Sequence, residues 1–118
     1  MKDEQTLQKA RRIRRSSEYQ RTWQEGQRYH TAHFVVIVNP GREVSRLGTT
    51  VNRKVGNAVC RNRLKRWLRE LFRQHYKQFG QVADISIIAK RHAGRLSHSQ
   101  VDQEIITVFA RLETEDHV

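Results

Sequence analysis

The chain has 118 residues, the size of one ordinary domain, with 23 Lys and Arg against 12 Asp and Glu and a net charge of +11. A domain this basic repels itself unless something anionic lies beside it, which points to nucleic acid or an acidic membrane surface. The single cysteine, Cys60, permits no internal disulfide, the longest apolar run (Phe34 to Val38) is too short to span a bilayer, and the N-terminus, charged from Lys2, does not read as a secretory signal, so a cytoplasmic protein with no membrane partner is expected.

Residues 1–15 are polar and end in Arg11, Arg12, Arg14 and Arg15, which reads as a basic, mobile tail. Ser16 and Ser17 open a first helix, with Ser17 and Gln20 as a capping box and Gly26 as its stop. Tyr19 and Trp23 lie four apart and share one face of that helix, where either core packing or an exposed cleft would use them. Residues from about Arg28 read as a short strand, and Phe34 to Val38 as a strand covered on both faces. Asn39-Pro40-Gly41 is a turn signal, and the alternation of Leu47, Thr49 and Val51 marks the next strand. Asn57 caps a long helix reaching about Tyr76. Its apolar stripe is Cys60, Leu64, Trp67, Leu68 and Leu71, so Cys60 and Trp67 read as packing residues. Gly80 ends that segment, and Ile85, Ile87 and Ile88 mark a strand bounded by Asp84 and Lys90. Ser97 and Gln100 form a second capping box, with Leu96 stapled onto Val101. Val101, Ile105, Val108, Phe109 and Leu112 give the last helix its core face, and residues 113–118 form an acidic, frayed end. The reading is one domain over residues 16–112 of the α+β class: a small, mainly antiparallel sheet of about four strands packed with three helices, in the order αβββαβα.

Residues 53–77 hold nine Lys or Arg and a single acid, Glu70. At 100° per residue Asn62, Lys65, Arg66, Arg69, Arg73 and Lys77 fall opposite the apolar stripe, and Arg61 and Arg63 border it. A solvated helix face usually mixes charge signs, because opposite charges four apart support the helix. This face stacks like charges, which costs stability until phosphates arrive. Arg also outnumbers Lys over the chain, and its planar fork suits phosphates and stacks on bases. Nucleic-acid binding is the expected chemistry.

Several functions share that chemistry. A metal-dependent nuclease needs carboxylates clustered to hold ions about 4 Å apart. The acids here are scattered, and no Cys or carboxylate set joins His30 and His33 into a metal site. His92 and His98 fall near loop positions and show no role. No catalytic and no metal-binding residue is therefore expected on the protein. A structural RNA-binding protein, such as a ribosomal one, fits size and charge as well as a processing subunit does. DNA binding fits less well, for want of a recognition-helix or dimer pattern.

The run Arg61-Asn62-Arg63-Leu64-Lys65-Arg66-Trp67-Leu68-Arg69-Glu70, preceded by Val55-Gly56-Asn57-Ala58-Val59, resembles the signature helix of the bacterial ribonuclease P protein family. The first helix with its aromatic pair and the three strand segments resemble that family too, over roughly residues 12–112. The resemblance implies a left-handed crossover around the basic helix, against the strong right-handed default. It implies the catalytic RNA of ribonuclease P and precursor tRNA as partners, with no obligate protein partner. Mg²⁺ would belong to the holoenzyme, held mainly by the RNA subunit, which performs the hydrolysis. Arg53, Lys54, Arg61, Asn62, Arg63, Lys65, Arg66 and Arg69 would contact the RNA subunit. Tyr19 and Trp23 would line a cleft for the single-stranded 5′ leader of precursor tRNA, where rings stack on bases of any sequence. Phe34, in its dense apolar run, reads as core, with lining of that cleft as its alternative.

Overall fold

The computed structural model describes residues 11–13 and 24–114. The first helix expected from Ser16, with its capping box, Tyr19 and Trp23, lies outside the described residues, although Gln24 and Glu25 are helical and Gly26 bends the chain out of them. Four strands follow in one sheet: β1 (Gln27–His30), β2 (Phe34–Pro40), β3 (Arg46–Thr50) and β4 (Ala83–Ala89). Two long helices join them: α1 (Ala58–His75) between β3 and β4, and α2 (His98–Thr114) after β4. The sheet order is β1-β2-β4-β3, with β1–β2 and β2–β4 antiparallel and β3–β4 parallel. The sheet is therefore mostly antiparallel, as expected, and α1 is the crossover that a parallel pair requires.

Burial explains the order. In β4 every residue except Ile88 is buried, and β2 is covered on both faces along most of its length. Strands this apolar take the centre, while the short β1, exposed at three of its four residues, takes an edge. β2 runs through Asn39 and Pro40, which pair with Asp84 and Ala83, so the expected turn starts two residues later, at Gly41. There Gly41 N donates to Val82 O at 2.8 Å, and a Cβ would lie 2.7 Å from Val82 Cγ1, an approach only glycine permits.

Helix boundaries follow local chemistry. Asn57 Oδ1 accepts from Cys60 N at 2.9 Å and starts α1. α1 gives way at Tyr76 to a single 3₁₀ turn (Tyr76–Gln78), and Phe79 then folds back into the core. Ser97 and Gln100 form the full capping box of α2: Ser97 N donates to Gln100 Oε1 at 2.8 Å, and Gln100 N to Ser97 Oγ at 3.2 Å.

Leu64, Leu68, Leu71 and Phe72 of α1 pack with Val101, Ile105, Val108, Phe109 and Leu112 of α2 over Tyr29, Phe34, Val36, Leu47, Ile85 and Ile87 of the sheet. The stripe read from the sequence is right in the middle and frays at its edge, since Cys60 and Trp67 are only half-buried and Phe72 joins it. Arg11–Ile13, which the sequence places in the tail, run beside β3: Arg12 bridges to Leu47, Ile13 N donates to Leu47 O at 2.9 Å, and Ile13 is buried.

Two polar clusters tie elements together. Arg46 of β3 grips Asp84 of β4 with two parallel bonds, Nε–Oδ1 at 3.0 Å and Nη2–Oδ2 at 2.7 Å, and the Asp84 side chain is only 2% exposed. Breaking a buried pair of this kind costs about 3–5 kcal/mol. Glu104 of α2 clamps the β1–β2 turn, accepting from Thr31 Oγ1 at 2.7 Å and His33 N at 3.0 Å and facing His33 Nδ1 at 2.6 Å. Burial pushes the Glu104 carboxyl up, but the bonds from Thr31 and His33 and the nearby His33 charge outweigh it and hold the group below its ordinary 4.5.

Because folding lowers that pKa, the clamp's contribution is fully present above about 4.5 and is lost as the pH falls through the folded value. Urea unfolding of the wild type and Glu104→Gln from about pH 7 to about pH 3 checks this: the stability advantage of the wild type narrows on acidification. A gap independent of pH would show that the Glu104 charge contributes nothing.

Candidate nucleic-acid interface

α1 carries the candidate surface, and its local sequence explains how the cations are presented. Before the helix, Lys54 N donates to Asn52 Oδ1 at 3.0 Å and Val55 N to Asn52 O at 3.1 Å, closing a tight turn. Val51 and Val55 are buried on either side, so Arg53 and Lys54 project from the tip of that turn, beyond the end of β3 rather than on it. Along α1, Asn62 and Arg66 are exposed, Arg61, Arg63, Lys65, Arg69 and Arg73 are half-buried, and Lys77 is exposed in the 3₁₀ turn.

The half-buried arginines are seated rather than free in solvent. The Nε atoms of Arg61, Arg63 and Arg73 are enclosed and have no hydrogen-bond partner. Among the described residues no carboxylate pairs with Arg61, Arg63, Lys65, Arg66, Arg73 or Lys77. A row of cations with no counter-charge, three of them with enclosed stems, is arranged for an anion that comes from outside.

The turn after β4 extends this surface. Gly94 sits so close to the 53–55 turn that a Cβ would lie 2.2 Å from Val55 O, and Cys60 Sγ lies 3.5 Å from Gly94 O. The exposed Arg91, His92 and Arg95 of that 3₁₀ turn (Arg91–Arg95) therefore border the start of α1. The sequence reading assigned them nothing, although the basic density of 90–95 is visible there; their nearness to α1 depends on Gly94.

Trp67 is also more than packing. Its ring lies parallel to His98 of α2, with centroids 4.6 Å apart and planes within 4°, and the Arg63 guanidinium sits 5.2 Å from the Trp67 ring. His98 Nε2 is 3.6 Å from Asp102 Oδ1, too long for a hydrogen bond.

The sheet face turned away from α1 and α2 has a different character at its two ends. At one end Asn39, Asp84 and Arg46 stand in a polar row, with Arg46 bound to Asp84. At the other, His30, Val35, Ile88 and Thr50 stand in register, His30 exposed and the rest half-buried, next to the chain leading to Arg53 and Lys54. Phe34, a candidate for lining a cleft, points the other way and is 0% exposed, so its ring offers no surface; its place in the helix-side layer of β2 makes it core. Tyr19 and Trp23 lie outside the described residues. Among the described residues no three His, Cys, Asp or Glu side chains converge as a metal site.

A family model for ribonuclease P matches residues 7–113. The ribonuclease P protein component of Desulfovibrio desulfuricans is 44% identical over 107 residues, covering 86% of this chain and 82% of that one. That of Syntrophus aciditrophicus is 42% identical over 101 residues, covering 85% of each. Among solved structures, a Staphylococcus aureus RNase P protein superposes with a TM-score of 0.81 at 33% identity, over 90% of this chain and all of that one. The Thermotoga maritima RNase P protein does so with a TM-score of 0.75 at 32% identity, over 86% and 97%. A cationic helix on this sheet, in a chain matched almost end to end by such relatives, belongs to the bacterial ribonuclease P protein family, the protein component of the ribonucleoprotein endoribonuclease that matures the 5′ end of tRNA.

Proposed function

We propose that the protein acts by position and charge: α1 docks on the catalytic RNA while the far sheet face and the first helix receive the 5′ leader of precursor tRNA. The observation that carries this reading is the row of cations on α1, of which Arg61, Arg63, Lys65, Arg66 and Arg73 meet no carboxylate among the described residues. Arg61, Asn62, Arg63, Lys65, Arg66 and Arg69, continued by Arg53 and Lys54, would neutralise phosphates of the RNA subunit and release its counterions. The leader would lie along Val35, Ile88 and Thr50, with Tyr19 and Trp23 supplying rings for its bases. This division supports affinity for precursor over mature tRNA, because only the precursor has a leader to bind.

The hydrolysis and its Mg²⁺ belong to the RNA subunit in this reading. The protein residues described here lack the clustered carboxylates that two-metal hydrolysis requires. Their part is to lower repulsion between two RNAs so that Mg²⁺ binds the RNA more readily. The setting is the bacterial cytoplasm, and no second protein is needed.

Three outcomes follow. Cleavage of a leader-bearing precursor tRNA at low Mg²⁺ occurs when protein and a bacterial ribonuclease P RNA are mixed, and not with protein alone; cleavage by protein alone would overturn the noncatalytic role. Arg66→Ala weakens RNA-subunit binding on the order of tenfold and lowers the slope of log affinity against log salt by about one. Trp23→Ala leaves RNA-subunit affinity unchanged but weakens precursor binding in the holoenzyme by about 1 kcal/mol or more, read by equilibrium binding. Identical defects from the last two substitutions would mean that the two surfaces are not separate.

A further inference from the structure

We infer that Trp67 is a positioning residue for RNA binding: stacked on His98, the indole holds the Arg63 guanidinium ready for a phosphate. The inference rests on the reading of α1 as the RNA-binding surface. Arg63 and Trp67 are one helical turn apart, so their side chains meet on the border of the cationic face. The guanidinium carbon stands 5.2 Å from the ring centroid, within the range of a cation–π contact. Its other described contact is Cys60 Sγ, 3.8 Å from Nη2, and sulfur is a weak acceptor. Neither neighbour carries a charge that cancels the cation. Arg63 is thus held and still available, whereas a salt bridge would hold it and use it up.

Trp67 is itself braced. It packs on the edge of the core and lies flat against His98, within 4° of parallel. His98 is the first residue of α2, directly after Ser97, whose capping box with Gln100 fixes the start of that helix. A line of contacts therefore runs from the α2 cap through His98 and Trp67 to Arg63. Held in this way, the guanidinium loses less rotamer freedom when the RNA arrives, and that saving appears as affinity. A flexible arginine at the same position would contact the same phosphate more weakly.

The test is a double-mutant cycle on the full chain bound to a bacterial ribonuclease P RNA, measured at several salt concentrations. Trp67→Leu weakens binding roughly two- to tenfold, with the salt slope unchanged because the phosphate contact persists. Trp67→Phe, which keeps a ring, recovers most of the affinity. In an Arg63→Ala background Trp67→Leu has no further effect, since nothing remains to be positioned. A merely structural role for Trp67 would weaken binding equally in both backgrounds, and that result overturns the inference. Thermal unfolding shows whether Trp67→Leu is folded; if it is not, His98→Ala takes its place, with a smaller loss expected that also vanishes in the Arg63→Ala background. Unchanged affinity in Arg63→Ala alone overturns the assignment of Arg63 to the RNA surface, and this inference with it.

Discussion

Like charges along one side of α1 repel one another, and the packing of Leu64, Leu68, Leu71 and Phe72 on the other side holds the helix in place against that repulsion. The magnitudes settle which effect wins. Each of these buried side chains contributes about 1.5–3 kcal/mol, whereas a like-charge pair one turn apart costs a few tenths. The core therefore carries the charged face with a margin, and the charges need no partners within the fold. An apolar anchor of this strength is what lets a helix keep its cations free for another molecule.

The position of β4 sets where that helix points. Because β4 lies between β2 and β3 and runs parallel to β3, the chain must cross over between them, and α1 is the crossover. α1 thus begins just beyond the end of β3, at the turn bearing Arg53 and Lys54. The turn after β4 returns to the same place and meets it at Gly94. One end of the sheet then gathers the cationic turns and the half-open row of Val35, Ile88 and Thr50. The opposite end is closed by the Arg46–Asp84 pair, whose polar groups are bound to each other. The sheet has one end available to a ligand and one end devoted to holding strands together.

Trp67 shows why an apolar stripe and a binding face need not be separate things. By spacing it belongs with Leu64 and Leu71, yet it sits at the border, half-buried, with Arg63 over its ring and His98 against it. A large ring at such a border can pack at one side and hold a charge at the other, because its π face attracts cations without neutralising them.

The helix caps and the cationic face were decided by the sequence alone. Asn57, Ser97 and Gln100 act on backbone groups three residues away, and helical periodicity alone sorts Asn62 and Arg66 from Leu64 and Leu68. The strand segments of β2 and β4 were legible for the same reason, since dense apolar runs report burial directly. Only the tertiary structure decided the rest. Pairing β3 with β4, Arg46 with Asp84 and Glu104 with the β1–β2 turn joins residues distant in the chain, and no local pattern encodes those partners. The same holds for Arg11–Ile13, placed in the tail by sequence yet fastened to β3 through Leu47, and for Phe34, whose side of the sheet depends on register. The sequence determined which residues carry charge and which side of each helix shows it; the tertiary structure determined which of those charges are held, and by what, because that depends on contacts across distant segments.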